Sequence, residues 1–161
     1  PDGLIVGARG DHWFLHPEKK GDAAFKAFNE AFKAKTGSWP IYPVYHMAQA
    51  FSALQTAYDK AIKANGGNWP TREQVIDAAA GIEFATGFGR PVTLRPEDNQ
   101  GLEAQLVGVT KTAPGYDFRV LDNMMIFDPK VVTNPPGTRS VDWLKTLKPD
   151  FAKMDVPTFK H

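Results

Sequence analysis

Apolar residues recur at helical spacing along the first half of this chain and at strand-like spacing further on. From about Gly21 to Lys35, Phe25, Phe28 and Phe32, with Ala24 and Ala31, fall three and four apart and mark one apolar helix face. Gly37 stands where a left-handed residue would close that helix. The linker Ser38-Trp-Pro-Ile-Tyr-Pro43 holds two prolines, whose fixed φ imposes an extended entry to the next element. The pattern predicts a second helix over about Val44 to Ala64, with Met47, Phe51, Leu54, Tyr58 and Ile62 as its buried stripe. Phe51 and Leu54 sit centrally on that stripe and are expected in the core. Gly66-Gly67 ends it. A third helix is expected from Thr71, where Thr71 and Gln74 have capping-box spacing, to near Gly81.

Strand signals are shorter. Leu4-Ile-Val6 reads as a short buried strand opening into Gly7-Ala-Arg-Gly10. Val92 to Leu94, Leu106 to Val109, Val120-Leu121 and Met125 to Phe127 read as further strands, and Ser140 as the cap of a short helix through Leu147. From Lys148 to His161 order signals are weak. Strands separated by helices, then closely spaced strands, predict an α/β protein with a mainly parallel sheet flanked by helices.

Composition narrows the function classes. With 161 residues, 42% of them hydrophobic, the chain can bury a core. Nineteen basic residues stand against eighteen acidic ones and are interspersed with them, so the clustered basic face of a nucleic-acid reader is missing. The longest concentrated apolar patch, Met124 to Phe127, is far short of the ~20 residues of a membrane span. Cysteine is absent, which excludes a disulfide framework and thiolate metal ligands.

Candidate chemistry is sparse. His12 and His16 flank Trp13, Phe14 and Leu15, with Asp11 before them and Pro17 after, which reads as a loop. Two histidines and one carboxylate lack a third strong ligand, so neither a metal nor a cofactor is expected. Gly7-Ala-Arg-Gly10 lacks the Gly-Lys-Ser/Thr of a phosphate loop, and no Gly-x-Ser-x-Gly elbow is present. No catalytic residue is assigned, and the chain is expected not to be an enzyme. Trp13, Phe14, Trp39, Tyr42 and Tyr45 fall outside the periodic stripes. Tyr42 and Tyr45 each pair a flat apolar face with a hydroxyl, which suits the mouth of a cleft for a small amphipathic ligand.

The order of several segments carries a resemblance. Gly3-Leu-Ile-Val6 precedes a Phe-rich helix, then Gly37-Ser-Trp-Pro40, then the helix start Val44-Tyr-His-Met47, then the segment Phe84 to Arg95. Over about residues 1 to 135 this resembles the later part of type I periplasmic solute-binding proteins, the leucine/isoleucine/valine-binding family of ABC importers. The resemblance implies a C-terminal portion of a bilobed Venus-flytrap fold. Residues 1–8 would be a hinge-approach strand and 9–110 the second segment of the first lobe. Residues 111–138 would return to the second lobe, and 139–161 would form a C-terminal helix and tail. It implies non-covalent binding of a branched-chain-like amino acid or related small carboxylate, with Tyr42, Tyr45, His46 and Trp13 as ligand contacts. His46 stands where the family often has Asp. Implied partners are a membrane ABC permease and either the remainder of the parent chain or a swapped homodimer, in the periplasm. Alternatives are a ligand-sensing receptor domain with the same fold, or an α/β enzyme with a cleft lined by Asp11, His12 and His46.

Overall fold

In the computed structural model, residues 1–148, 150 and 153–161 are described. Helix α1 (Ala23–Thr36) starts where the Asp22 carboxylate accepts from the Phe25 N–H at 3.0 Å. It ends at Gly37, φ 79°, whose N–H returns to the Lys33 carbonyl, as the sequence predicts. Phe25 is buried, Phe28 and Phe32 are half-buried, and Ala24 and Ala31 are exposed, so its apolar face is narrower than expected. Helix α2 (Tyr42–Ala64) takes Pro43 in its first turn, where the missing N–H costs no helical bond. Helix α3 (Arg72–Ala79) opens on a complete capping box. Gln74 N–H reaches Thr71 Oγ1 at 3.2 Å, and Thr71 N–H reaches Gln74 Oε1 at 2.8 Å.

The strands are β1 (Ile5–Gly7), β2 (Glu83–Phe84), β3 (Val92–Leu94), β4 (Gly101–Leu102), β5 (Gln105–Lys111), β6 (Val120–Phe127) and β7 (Thr158–Phe159). Two short helices, α4 (Pro129–Val132) and α5 (Ser140–Leu144), follow β6. One sheet runs β1-β5-β6-β7 and a smaller one β2-β3-β4. The α/β class holds, but the expected parallel pairing does not: every strand pair among the described residues is antiparallel. Between β5 and β6 the reason is connection length. Residues 112–119 alone join β5 to β6, and a parallel return needs a crossover of a dozen residues or more. Val120-Leu121 and Met125 to Phe127 belong to one strand rather than two, continuous through Asn123 at φ 45°. The larger sheet joins strands from all four segments that the resemblance delimits.

Three apolar clusters form the core. Ala57 and Ala61 of α2 pack with Val75 and Ala78 of α3 and with Ile82, Phe84 and Val92 around the small sheet. Ala104, Leu106, Leu121, Met124 and Ile126 line one face of β5–β6. Phe14, Phe25 and Tyr45 join Trp13, Phe28, Trp39 and Phe88 in an aromatic cluster.

Two burial expectations are overturned. Met47, Phe51 and Leu54 are 61, 65 and 50% exposed, and α2 buries Tyr45, Ala57 and Ala61 instead. Small alanines let α3 and β2 approach closely, so α2 packs on that side and leaves its larger apolar side chains open. β1 is likewise no buried strand: it lies at the sheet edge, with Ile5 78% exposed. At the other end, α5 stops at Leu144, short of Leu147. The weakly patterned tail includes residues 149, 151 and 152, which lie outside the described residues. Its last residues are tied down, because β7 pairs with β6 and the His161 N–H donates to Asp122 Oδ1 at 2.8 Å.

Candidate functional site

The loop leaving β1 is turned inward by two successive left-handed residues, Arg9 at φ 50° and Gly10 at φ 82°. A side chain on Gly10 would overlap the Glu103 carboxylate, so glycine is what lets the two segments meet. Backbone pairing with β5 continues across the turn: Ala8 N–H donates to the Leu106 carbonyl at 2.9 Å and Leu106 N–H to the Gly10 carbonyl at 2.8 Å. The reversal places Asp11, His12 and His16 almost wholly inside the protein.

Asp11 holds this loop to the segment 86–90. Its Oδ2 accepts from the Arg90 N–H at 2.7 Å and lies 3.3 Å from His16 Nε2. Gly89 lies so near that any side chain there would overlap the Asp11 carboxylate. The Arg90 guanidinium forks onto Glu18 through contacts of 3.0 and 2.6 Å. Hydrogen bonding from Arg90 holds the Glu18 carboxyl below its ordinary range, against the opposing effect of burial.

Helix α2 supplies the facing wall. Tyr42, Tyr45, His46 and Gln49 lie three and four apart, on one side of its first turns. His12 stands between two of them. Its ring stacks on Tyr45 at 5.7 Å and meets His46 edge-on at 5.3 Å. Glu103, just before β5, completes the group: its Oε1 lies 2.8 Å from His12 Nδ1, 3.3 Å from His46 Nε2 and 3.1 Å from Gln49 Nε2. At the outer edge the Arg9 guanidinium lies 5.2 Å over the Tyr42 ring, with Nη1 3.4 Å from the Tyr42 hydroxyl. The Tyr42 and His46 rings meet at 5.5 Å.

Of the four residues expected to touch ligand, Tyr42 and His46 come together at this outer edge. Tyr45 does not share their exposure. It is fully buried, its hydroxyl donates to Asn29 Oδ1 at 2.7 Å, and burial pushes its pKa up. Trp13 packs between two core clusters, and its buried indole Nε1 has no hydrogen-bond partner among the described residues. Asp11, His12 and His46 of the enzyme alternative are neighbours, with Asp11 Oδ1 3.7 Å from His12 Nδ1. Two grooves of 690 and 700 Å³ flank Trp39, and Arg9, Tyr42 and His46 line neither of them. Sequence reasoning missed Arg9, Gln49 and Glu103. Arg9 carried a signal, a cation between glycines directly after a strand. Glu103 carried none.

No family model matches the chain, and no curated protein matches it. Solved structures do. An ABC-type branched-chain amino acid transporter from Rhodopseudomonas palustris CGA009 aligns with 86% of this chain at 19% identity and a TM-score of 0.66. A solute binding protein of an ABC transporter from Rhodopseudomonas palustris BisB5, in complex with 3,4-dihydroxybenzoic acid, aligns with 79% at 20% identity and a TM-score of 0.52. The chain spans about a third of each, 34 and 31% of their lengths. The fold is therefore that of a part of a type I periplasmic binding protein. Among the described residues, no helix is long and apolar enough to cross a membrane.

Proposed function

We propose that the chain is the C-terminal portion of a periplasmic substrate-binding protein of an ABC importer, capturing a small carboxylate without covalent chemistry. The observation that carries this reading is the exposed Arg9 guanidinium held over Tyr42 beside His46. A planar guanidinium matches a carboxylate in bidentate fashion, and the aromatic faces next to it suit the apolar body of the same small molecule. A non-glycine residue with φ near 50° is uncommon, and such strain concentrates where a side chain must be aimed.

Both solved neighbours support the class, since a branched-chain amino acid and 3,4-dihydroxybenzoic acid each carry a carboxylate. In this reading Tyr45 supports the site from beneath by fixing the His12 ring. The lobes close over the ligand, and a membrane permease recognises the closed form. The rest of the parent chain supplies the opposing wall.

The test is calorimetric titration of the full chain, in EDTA, with L-leucine in one arm and 3,4-dihydroxybenzoate in the other. One of the two is expected to bind. Arg9→Gln should weaken that binding by ~1.5–3 kcal/mol, the scale of a hydrogen bond to a charged group, and Tyr42→Ala by ~1–3 kcal/mol. The melting temperature without ligand should stay nearly constant. Binding of neither acid, or equal binding by Arg9→Gln, overturns the reading.

A further inference from the structure

We propose that His12, His46 and Glu103 form a binding site for a late first-row divalent cation such as Zn²⁺, with one coordination position left open. The three come from different parts of the fold: the loop after β1, the second turn of α2 and the residue pair leading into β5. One donor atom from each lies within 4.8 Å of the others. Bonds of ~2.0–2.2 Å to a tetrahedral ion place its ligand atoms roughly 3.4 Å apart. The His46 contact to Glu103 Oε1, at 3.3 Å, matches that spacing, and the His12 contact, at 2.8 Å, is shorter than it.

Direction distinguishes an ion site from a proton-sharing pair. A protonated imidazole would aim its N–H at the carboxylate. Here His12 Nδ1 and His46 Nε2 close on one oxygen, yet neither is aligned as a hydrogen bond. Atoms that converge on a common point have this relation to one another. His12 is 1% exposed, and neither of its ring nitrogens has a hydrogen-bond partner among the described residues. A buried polar side chain in that state calls for a specific reason, and a cation bound to it provides one.

The surroundings fix the donors. Gln49 Nε2 donates to Glu103 Oε1 at 3.1 Å, the Tyr45 ring stacks on His12, and Gly10 leaves room for the carboxylate. Two imidazoles with one carboxylate favour zinc and its neighbours over calcium or magnesium, which prefer all-oxygen shells. His46 is partly exposed, so an ion can enter from the side where Tyr42 lies. The site stands independently of carboxylate capture.

The experiment strips the full chain with EDTA, removes the chelator and titrates with Co²⁺, read by visible absorption, and with Zn²⁺, read by calorimetry. One equivalent should bind, with the intense visible bands of tetrahedral cobalt. Glu103→Gln and His46→Gln should each weaken Co²⁺ binding by ~100-fold or more, while His161→Asn, in the exposed tail, leaves it unchanged. Metal-free melts of each variant establish that it folds, and either variant alone decides the matter should the other fail. Absence of stoichiometric uptake overturns the site, and so does equal uptake by the variants. Carboxylate binding in EDTA without cobalt uptake sinks the cation site and leaves the capture reading standing; cobalt uptake without carboxylate binding does the reverse.

Discussion

Replacing Tyr45 by Phe removes one oxygen from a fully buried place with few donors. The ring remains, so no cavity opens and no apolar area is lost. What changes is a 2.7 Å hydrogen bond to Asn29 Oδ1, with Tyr45 and Asn29 at 0 and 3% exposure. Asn29 keeps its other contact, Nδ2 to the Phe14 carbonyl at 3.3 Å, so its amide cannot rotate freely to recover a partner. A net neutral hydrogen bond contributes ~1 kcal/mol, and an acceptor left buried and unsatisfied raises the cost, so Tyr45→Phe should destabilise by ~1–3 kcal/mol. Urea denaturation should show a lower midpoint at constant slope, since the surface exposed on unfolding is unchanged. The effect has a pH signature. Burial raises the folded-state pKa of Tyr45 above its ordinary value of 10.0, so this contribution is complete below pH ~10 and declines as the unfolded phenol ionises above it. The gap between wild type and Tyr45→Phe should therefore shrink above pH ~10. A destabilisation under ~0.5 kcal/mol would refute the reasoning, as would full additivity with Asn29→Ala in a double-mutant cycle.

Two further expectations come from the packing. Phe51→Ser, on the open face of α2, should change the stability of this chain by less than ~0.5 kcal/mol in urea, whereas a loss above ~2 kcal/mol would show that the face is covered. Glu18→Gln should cost up to ~1 kcal/mol at pH 7, because its partly exposed pair with Arg90 is screened by solvent. With the folded-state pKa of Glu18 depressed by Arg90, that contribution is present above the unfolded value of about 4.5 and lost as pH falls further; an equal gap at pH 7 and pH 3 would contradict it.

What the sequence revealed was local. Gly37, Thr71 and Gln74 mark helix ends through contacts spanning a few residues, so their chemistry is visible in the string. The stripe Met47, Phe51, Leu54 was visible too, but periodicity reports that a helix has an apolar face and not which neighbour covers it. Here the alanine side won, since Ala57 and Ala61 admit α3 and the small sheet at close range. Strand direction failed for a related reason: spacing shows that strands exist, while their pairing rests on connections. The site was half legible. Tyr42 could be chosen because it pairs an aromatic face with a hydroxyl at a helix entry, and His46 only through the family resemblance. Glu103 joins them only through sheet pairing, from a stretch that reads as an ordinary turn.

The pairing of β1 with β5 ties the site to the order in which the chain folds. Ile5 stands opposite Val109 and Gly7 opposite Val107, so the contact closes a loop of about a hundred residues. Closing such a loop costs about 4 kcal/mol of chain entropy before any contact compensates, and pairings of this range form slowly. A slip of one residue in β5 would move Glu103 by ~3.3 Å relative to the loop that carries His12. His12 and Glu103 thus become neighbours only after this long-range strand pair has locked in the correct register. A chain in which helices α1, α2 and α3 have already formed therefore still lacks this cluster until β1 and β5 have paired.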